Sequence, residues 1–163
     1  MYIGKSYSNY SGLLGRRPEA IARVKGSDKY PSINGTVWFY TTELGVLVVA
    51  DINGLPSEEG DCKGKIFGFH IHSGEKCEDD SDASFLSAGD HYDKNSCGHP
   101  YHSGDMPSLF GVKGRAFASF LTDRFSVSDI VGRTVVIHGS ADDLITQPGG
   151  NSGERIACGE IKG

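Results

Sequence analysis

The sequence predicts an all-β domain: an eight-stranded Greek-key barrel or sandwich carrying two long functional loops. Three observations support this. The chain has 163 residues, enough for one domain with a real core. Its 23 glycines punctuate short apolar runs, as many tight turns require. Those runs are rich in β-branched and aromatic residues, as in Val37-Trp38-Phe39-Tyr40 and Val46-Leu47-Val48-Val49.

Residues 1–17 read as a polar arm or lead-in. Strands are expected near 19–25, 33–42, 44–54, 65–72, 108–112, 115–121, 133–138 and 155–161. Gly35, Gly45, Gly54, Gly114 and Gly132 fall at or near their edges, and Lys113-Gly114 suits the bend of a tight hairpin. Ser126 to Ile130 is expected to form one turn of helix in a crossover. Segments 73–107 and 139–154 lack periodicity, and loops of this length in a small β domain usually carry function. Strands followed by such loops fit a Greek-key barrel or sandwich.

Composition excludes several functions. Net charge is −5, and no Lys/Arg cluster exceeds a pair, so nucleic acid is not an expected partner. An anionic substrate would need a local positive site against that field. No stretch is long and apolar enough for a membrane helix, and the first residues contain no apolar signal region. The expected location is cytoplasmic, or periplasmic or secreted if the chain is a processed form. The four cysteines, Cys62, Cys77, Cys97 and Cys158, form no CxxC motif.

The histidines are the most informative residues. All six, His70, His72, His91, His99, His102 and His138, fall into metal-ligand patterns, with Asp105 three residues after His102. In Phe69-His70-Ile71-His72, alternation along a strand puts both imidazoles on one face and the apolar pair on the other. His138 ends the run Thr134-Val135-Val136-Ile137, so imidazoles from two strands can converge on one ion. An isolated HxH pair is more often a pair of surface histidines; the other four shift that balance. His91, His99, His102 and Asp105 make a four-coordinate set suited to structural Zn²⁺. The three-histidine site suits copper or zinc, and the absence of a thiolate or methionine partner disfavours a blue-copper centre.

At these residues the chain resembles copper/zinc superoxide dismutase, over about residues 18–161. Five ordered motifs carry the resemblance: Gly68-Phe-His-Ile-His72, Ser87-Ala-Gly-Asp-His-Tyr92, His102-Ser-Gly-Asp-Met-Pro107, Gly132-Arg-Thr-Val-Val-Ile-His138 and Gly150-Asn-Ser-Gly-Glu-Arg-Ile-Ala-Cys-Gly159. It implies an immunoglobulin-like Greek-key fold and a dismutase domain over 18–163. The implied copper ligands are His70, His72, His91 and His138. The implied zinc ligands are His91, His99, His102 and Asp105, with His91 as the bridging imidazolate and proton carrier. Asp142 matches an aspartate that links a copper histidine to a zinc histidine. Arg155 matches the arginine that attracts superoxide. Cys77 and Cys158 match the family disulfide, which the family keeps even in the cytosol. Cys62 and Cys97 are expected to be free: Cys62 sits eight residues before His70, which puts it near the barrel end away from the metals, while Cys97 belongs to the zinc loop.

The implied activity is an oxidoreductase reaction, disproportionation of superoxide to oxygen and hydrogen peroxide, with Cu and Zn as cofactors. A homodimer and a copper-delivery protein are the partners the resemblance allows; the sequence selects no dimer surface. Two departures stand out. The His99 to His102 gap is shorter than in the family, and segment 139–154 contains no lysine or arginine. A non-catalytic copper/zinc-binding domain of the same fold is the alternative. A zinc hydrolase is disfavoured, because no carboxylate base is evident beside His70 or His72.

Overall fold

The computed structural model describes residue 12 and residues 15–57, 65–78 and 84–163. Among these described residues, nine strands follow in order: β1 Ala20–Gly26, β2 Asn34–Thr42, β3 Gly45–Asn53, β4 Ile66–Phe67, β5 Phe69–His72, β6 Leu109–Phe110, β7 Arg115–Thr122, β8 Thr134–His138 and β9 Arg155–Lys162. One helical turn, α1, spans Val127–Ile130 before β8. Ser126 and Asp129 form a capping box at its start, satisfying backbone donors that a helix leaves free. Among the described residues no helix is long and apolar enough to cross a membrane.

Seven strands form one antiparallel sheet in the order β5-β8-β9-β1-β2-β3-β7. β4 and β6 pair separately. β6 packs beside β7, and β4 runs on into β5, so the line of neighbours curls back towards its start. The connections β3 to β4 and β7 to β8 cross between strands that are not neighbours, as a Greek key requires. At the β6–β7 tip, Val112 and Arg115 exchange both backbone hydrogen bonds around Lys113 and Gly114, which both have positive φ. That is the two-residue hairpin expected there.

The expected strand over 65–72 is two strands, which raises the count from eight to nine. Gly68 breaks it by donating to Ser140 O and accepting from His138 N, so it leaves the β6 side and joins the edge of β8. A Cβ at Gly68 would lie 2.8 Å from the Ser152 side chain, so glycine permits this close approach.

The barrel interior holds Val37, Phe39, Val48, Ile52, Phe67, Phe69, Ile71, Val135, Ile137 and Ile156, all fully or almost fully buried. Burying one such side chain stabilises the fold by about 1.5–3 kcal/mol. Because strand side chains alternate, the residues between them point outwards: His70 and His72 on β5, Val136 and His138 on β8. Described parts of the two long loops, 84–107 and 139–154, cover this outer face, so the four side chains are buried outside the barrel.

Candidate metal centre

The loop after β5 runs back along that strand and is stapled to it. Tyr92 N donates to Ile71 O, Ile71 N to Gly104 O, and Gly104 N to Tyr92 O. A Cβ at Gly104 would lie 2.3 Å from Ile71 O, so only glycine lets the two backbones meet here. Single bridges join His72 to His91 and His70 to Asp105. This stapling brings the loop histidines over the outward face of β5.

The six histidines and Asp105 form two groups that share one residue. His70, His72, His91 and His138 make one; His91, His99, His102 and Asp105 make the other. Within each, one ligand atom per residue lies within 4.8 Å of the others. The outer ring nitrogens are already engaged. His70 Nε2 lies 2.7 Å from Asp142 Oδ2, His99 Nε2 2.9 Å from Asp142 Oδ1, His72 Nδ1 2.8 Å from Gly89 O, and His138 Nδ1 3.2 Å from Gly153 O. An N–H at each of these positions leaves the other ring nitrogen as a lone-pair donor facing the group.

Those inward nitrogens test the fit of a metal. His72 Nε2 and His138 Nε2 face each other at 3.2 Å. The buried Nδ1 atoms of His70, His99 and His102 have no hydrogen-bond partner. The latter two lie 3.0 and 3.2 Å from Asp105 Oδ2 without hydrogen-bond alignment. His91 Nδ1 lies 2.8 Å from Asp105 Oδ1. Buried, unpartnered nitrogens converging beside a carboxylate are what a shared cation satisfies. Three histidines and one carboxylate suit zinc; the four-imidazole group suits copper or zinc. The short gap between His99 and His102 is absorbed by a tight turn, with Tyr101 N bonded to Gly98 O, and both imidazoles still reach Asp105.

Burial favours the neutral, metal-binding form of His70, His72 and His138. Burial, then the neighbouring imidazole His70, depresses the His138 pKa to about 3. Burial pushes His72 well below its ordinary value and lowers His70 as well. Burial alone would raise the Asp142 pKa. Its hydrogen bonds from His70, the Leu144 backbone and His99 outweigh that and hold it far below the ordinary carboxylate range. Asp105 is also lowered, because its contacts with His91, His99 and His102 overcome burial.

A carboxylate therefore does stand beside His70, contrary to the expectation used against a hydrolase. All of its partners are orienting groups, and it faces His70 Nε2, away from the shared nitrogens. It has no free oxygen with which to activate water.

A cavity of about 480 Å³ opens onto His72, His91, His102 and His138, with Arg155 on its wall. Arg155 is half-buried and donates to Phe85 O and Gly89 O, both at 2.7 Å. Gly89 O thus receives both Arg155 and His72. A wider groove of about 660 Å³ along β1 and β9 reaches none of the histidines.

The structure contains the Cys77–Cys158 disulfide, with a Cα–Cα distance of 5.6 Å. Cys97 is free and exposed, as expected; Cys62 lies outside the described residues. Sequence reasoning missed Gln147. Its side chain donates to His99 O and accepts from His99 N, at 2.6 and 3.0 Å, tying the second loop to a histidine of the first. Nothing in the sequence marks a glutamine that pairs with a distant peptide.

Gly150 shows how closely the second loop fits. It has φ +66°, and a Cβ there would lie 2.0 Å from Asp142 Oδ1 and 2.7 Å from His99 Nε2. Gly150→Ala is expected to displace the Asp142 carboxylate and weaken zinc binding by about 10- to 100-fold. Competition with a chromophoric chelator measures it, and an unchanged zinc affinity contradicts it.

Comparison with known proteins agrees with this geometry. The sequence model of the copper/zinc superoxide dismutase family matches residues 33–161. The Cu-Zn superoxide dismutase of Deinococcus radiodurans is 32% identical over 150 residues, covering 81% of this chain and 79% of that protein. The Legionella pneumophila enzyme is 36% identical over 140 residues, covering 81% and 80%. The fold is similar to that of the Cu/Zn superoxide dismutase from Brucella abortus, with a TM-score of 0.74 at 24% identity, covering 88% of this chain and all of that one. The curled Greek-key barrel, the paired histidine groups and the family match together place the chain in the copper/zinc superoxide dismutase family, oxidoreductases that use copper and zinc.

Proposed function

We propose that copper is held by His70 Nδ1, His72 Nε2, His138 Nε2 and His91 Nε2, and zinc by His91 Nδ1, His99 Nδ1, His102 Nδ1 and Asp105. The observation that carries this assignment is the single residue, His91, that belongs to both ligand groups. Bound copper supplies the one-electron redox chemistry, and bound zinc fixes the shared imidazole.

The chain's own residues do the rest. Arg155 attracts the superoxide anion into the cavity above His72, His91 and His138. One superoxide gives up its electron and leaves as dioxygen. A second takes that electron with two protons and leaves as hydrogen peroxide. His91 Nε2, beside Gly149 on the cavity wall, can hold one of those protons and deliver it; water supplies the other. Asp142 holds His70 and His99 in fixed orientation, and Gly89 O and Gly153 O do the same for His72 and His138.

Reconstitution with copper and zinc, followed by an assay of superoxide removal, tests the reading. Turnover with both metals at the assigned positions, located by anomalous scattering at the two absorption edges, is the expected result. Binding without turnover would favour a non-catalytic copper/zinc domain. Two sites that do not share His91 would overturn the assignment.

A further inference from the structure

The cavity that leads to the histidines carries two opposed charges. Among the described residues that line it, Arg155 is the cation and Asp90 the carboxylate; the others are histidine or uncharged. Asp90 lies in the stretch Gly89-Asp90-His91, between the carbonyl that holds Arg155 and the shared imidazole. Its backbone is fixed by Ser73 N, which donates to Asp90 O. Its exposed carboxylate forms no hydrogen bond or ion pair with any described residue.

Among the described residues, the carboxylates Asp105, Asp142 and Glu154 are matched. Asp105 and Asp142 are committed to histidines. Glu154, next to Arg155 in sequence, turns away to Lys29 at 2.8 Å and does not line the cavity. Segment 139–154 offers no lysine or arginine to compensate. Resting on the dismutase reading above, we propose that Asp90 is a rate- and specificity-determining residue, whose negative charge opposes Arg155 and restrains the capture of small anions.

The physical basis is the field inside a cleft with low-dielectric walls. Two opposite charges there partly cancel at the entrance, and an approaching anion meets a weaker attraction than Arg155 alone would give. The proximity also registers on Arg155: burial lowers its pKa, and the Asp90 charge acts against that. Removing the carboxylate unmasks the guanidinium without touching a ligand.

The test uses the full chain loaded with copper and zinc. Asp90→Asn is expected to raise kcat/KM for superoxide about two- to tenfold at low ionic strength. That gain should shrink as salt shortens the screening length. Azide, a small monovalent anion, titrated against the copper absorbance, should bind more tightly by a similar factor. Asp90→Glu keeps the charge and should behave like the unaltered protein. Asp90→Ser is the second neutral variant, should the amide disturb folding. Fully loaded neutral variants with unchanged or weaker azide binding and superoxide capture would overturn the proposal, as would a gain that persists at high salt. If the unaltered loaded chain removes no superoxide, the dismutase reading fails instead, and the azide titration still reports on Asp90.

Discussion

Arg155→Ala is expected to lower kcat/KM for superoxide by about 10- to 10³-fold while copper and zinc stay bound. The protein is acidic overall, with a net charge of −5, so its distant field repels the substrate. Among the described residues, Arg155 is the cation of the cavity that reaches the shared histidine. Burial lowers its pKa, but a guanidinium remains charged at any pH where the protein is folded. Phe85 O and Gly89 O hold it in place, so the charge is aimed rather than mobile. Arg155→Lys keeps the charge but cannot reproduce the fork that spans both carbonyls, and is expected to fall between the two. The rate of the alanine variant should also depend less on salt. Metal content is measured alongside, because Arg155 and His72 share Gly89 O. Loss of copper in the variant would mean that the arginine acts through the ligand; an unchanged rate would remove it from the site.

Much of this site was legible in the sequence because strand alternation is a local rule. Phe69-His70-Ile71-His72 predicts two inward and two outward side chains from the chain alone, and β5 has them. The long loops were visible by their lack of period. The break at Gly68 was not, because sheet membership depends on which distant backbone offers partners, here Ser140 and His138. Contacts made by carbonyls were invisible for a similar reason. Gly89 O and Gly153 O orient two histidines, yet no residue type announces a carbonyl's direction. Asp142 was reached only through family resemblance, since an aspartate in a loop has no distinctive signature. The structure gives its position a physical account: one carboxylate spans His70 and His99 and is capped by the Leu144 backbone. Asp90 lies within the motif Ser87-Ala-Gly-Asp-His-Tyr92, yet the motif assigns it no role, because a charge matters here only through the cavity it shares.

Cys77→Ser is expected to cost about 4–5 kcal/mol of stability, from the loop of 81 residues that the disulfide closes. Cys77 is the better partner to replace. Cys158 is fully buried, so a serine there would add an unsatisfied hydroxyl, whereas Cys77 is only half-buried. Chemical denaturation of the metal-loaded variant, compared with the unaltered protein with and without reductant, measures the loss. The effect should reach catalysis too. Phe85 and Ala88 pack with Val136, Cys158 and Cys77 in one small apolar cluster outside the barrel. The same segment offers Phe85 O and Gly89 O to Arg155, and Gly89 O to His72. Opening the disulfide therefore loosens the segment that aims the guanidinium. The activity loss should be smaller than that of Arg155→Ala, because the charge is retained and only its placement is relaxed. A variant as stable as the unaltered protein would show that the cluster alone pins the segment. A variant that is less stable but fully active would separate the bond's stabilising role from any part in placing Arg155.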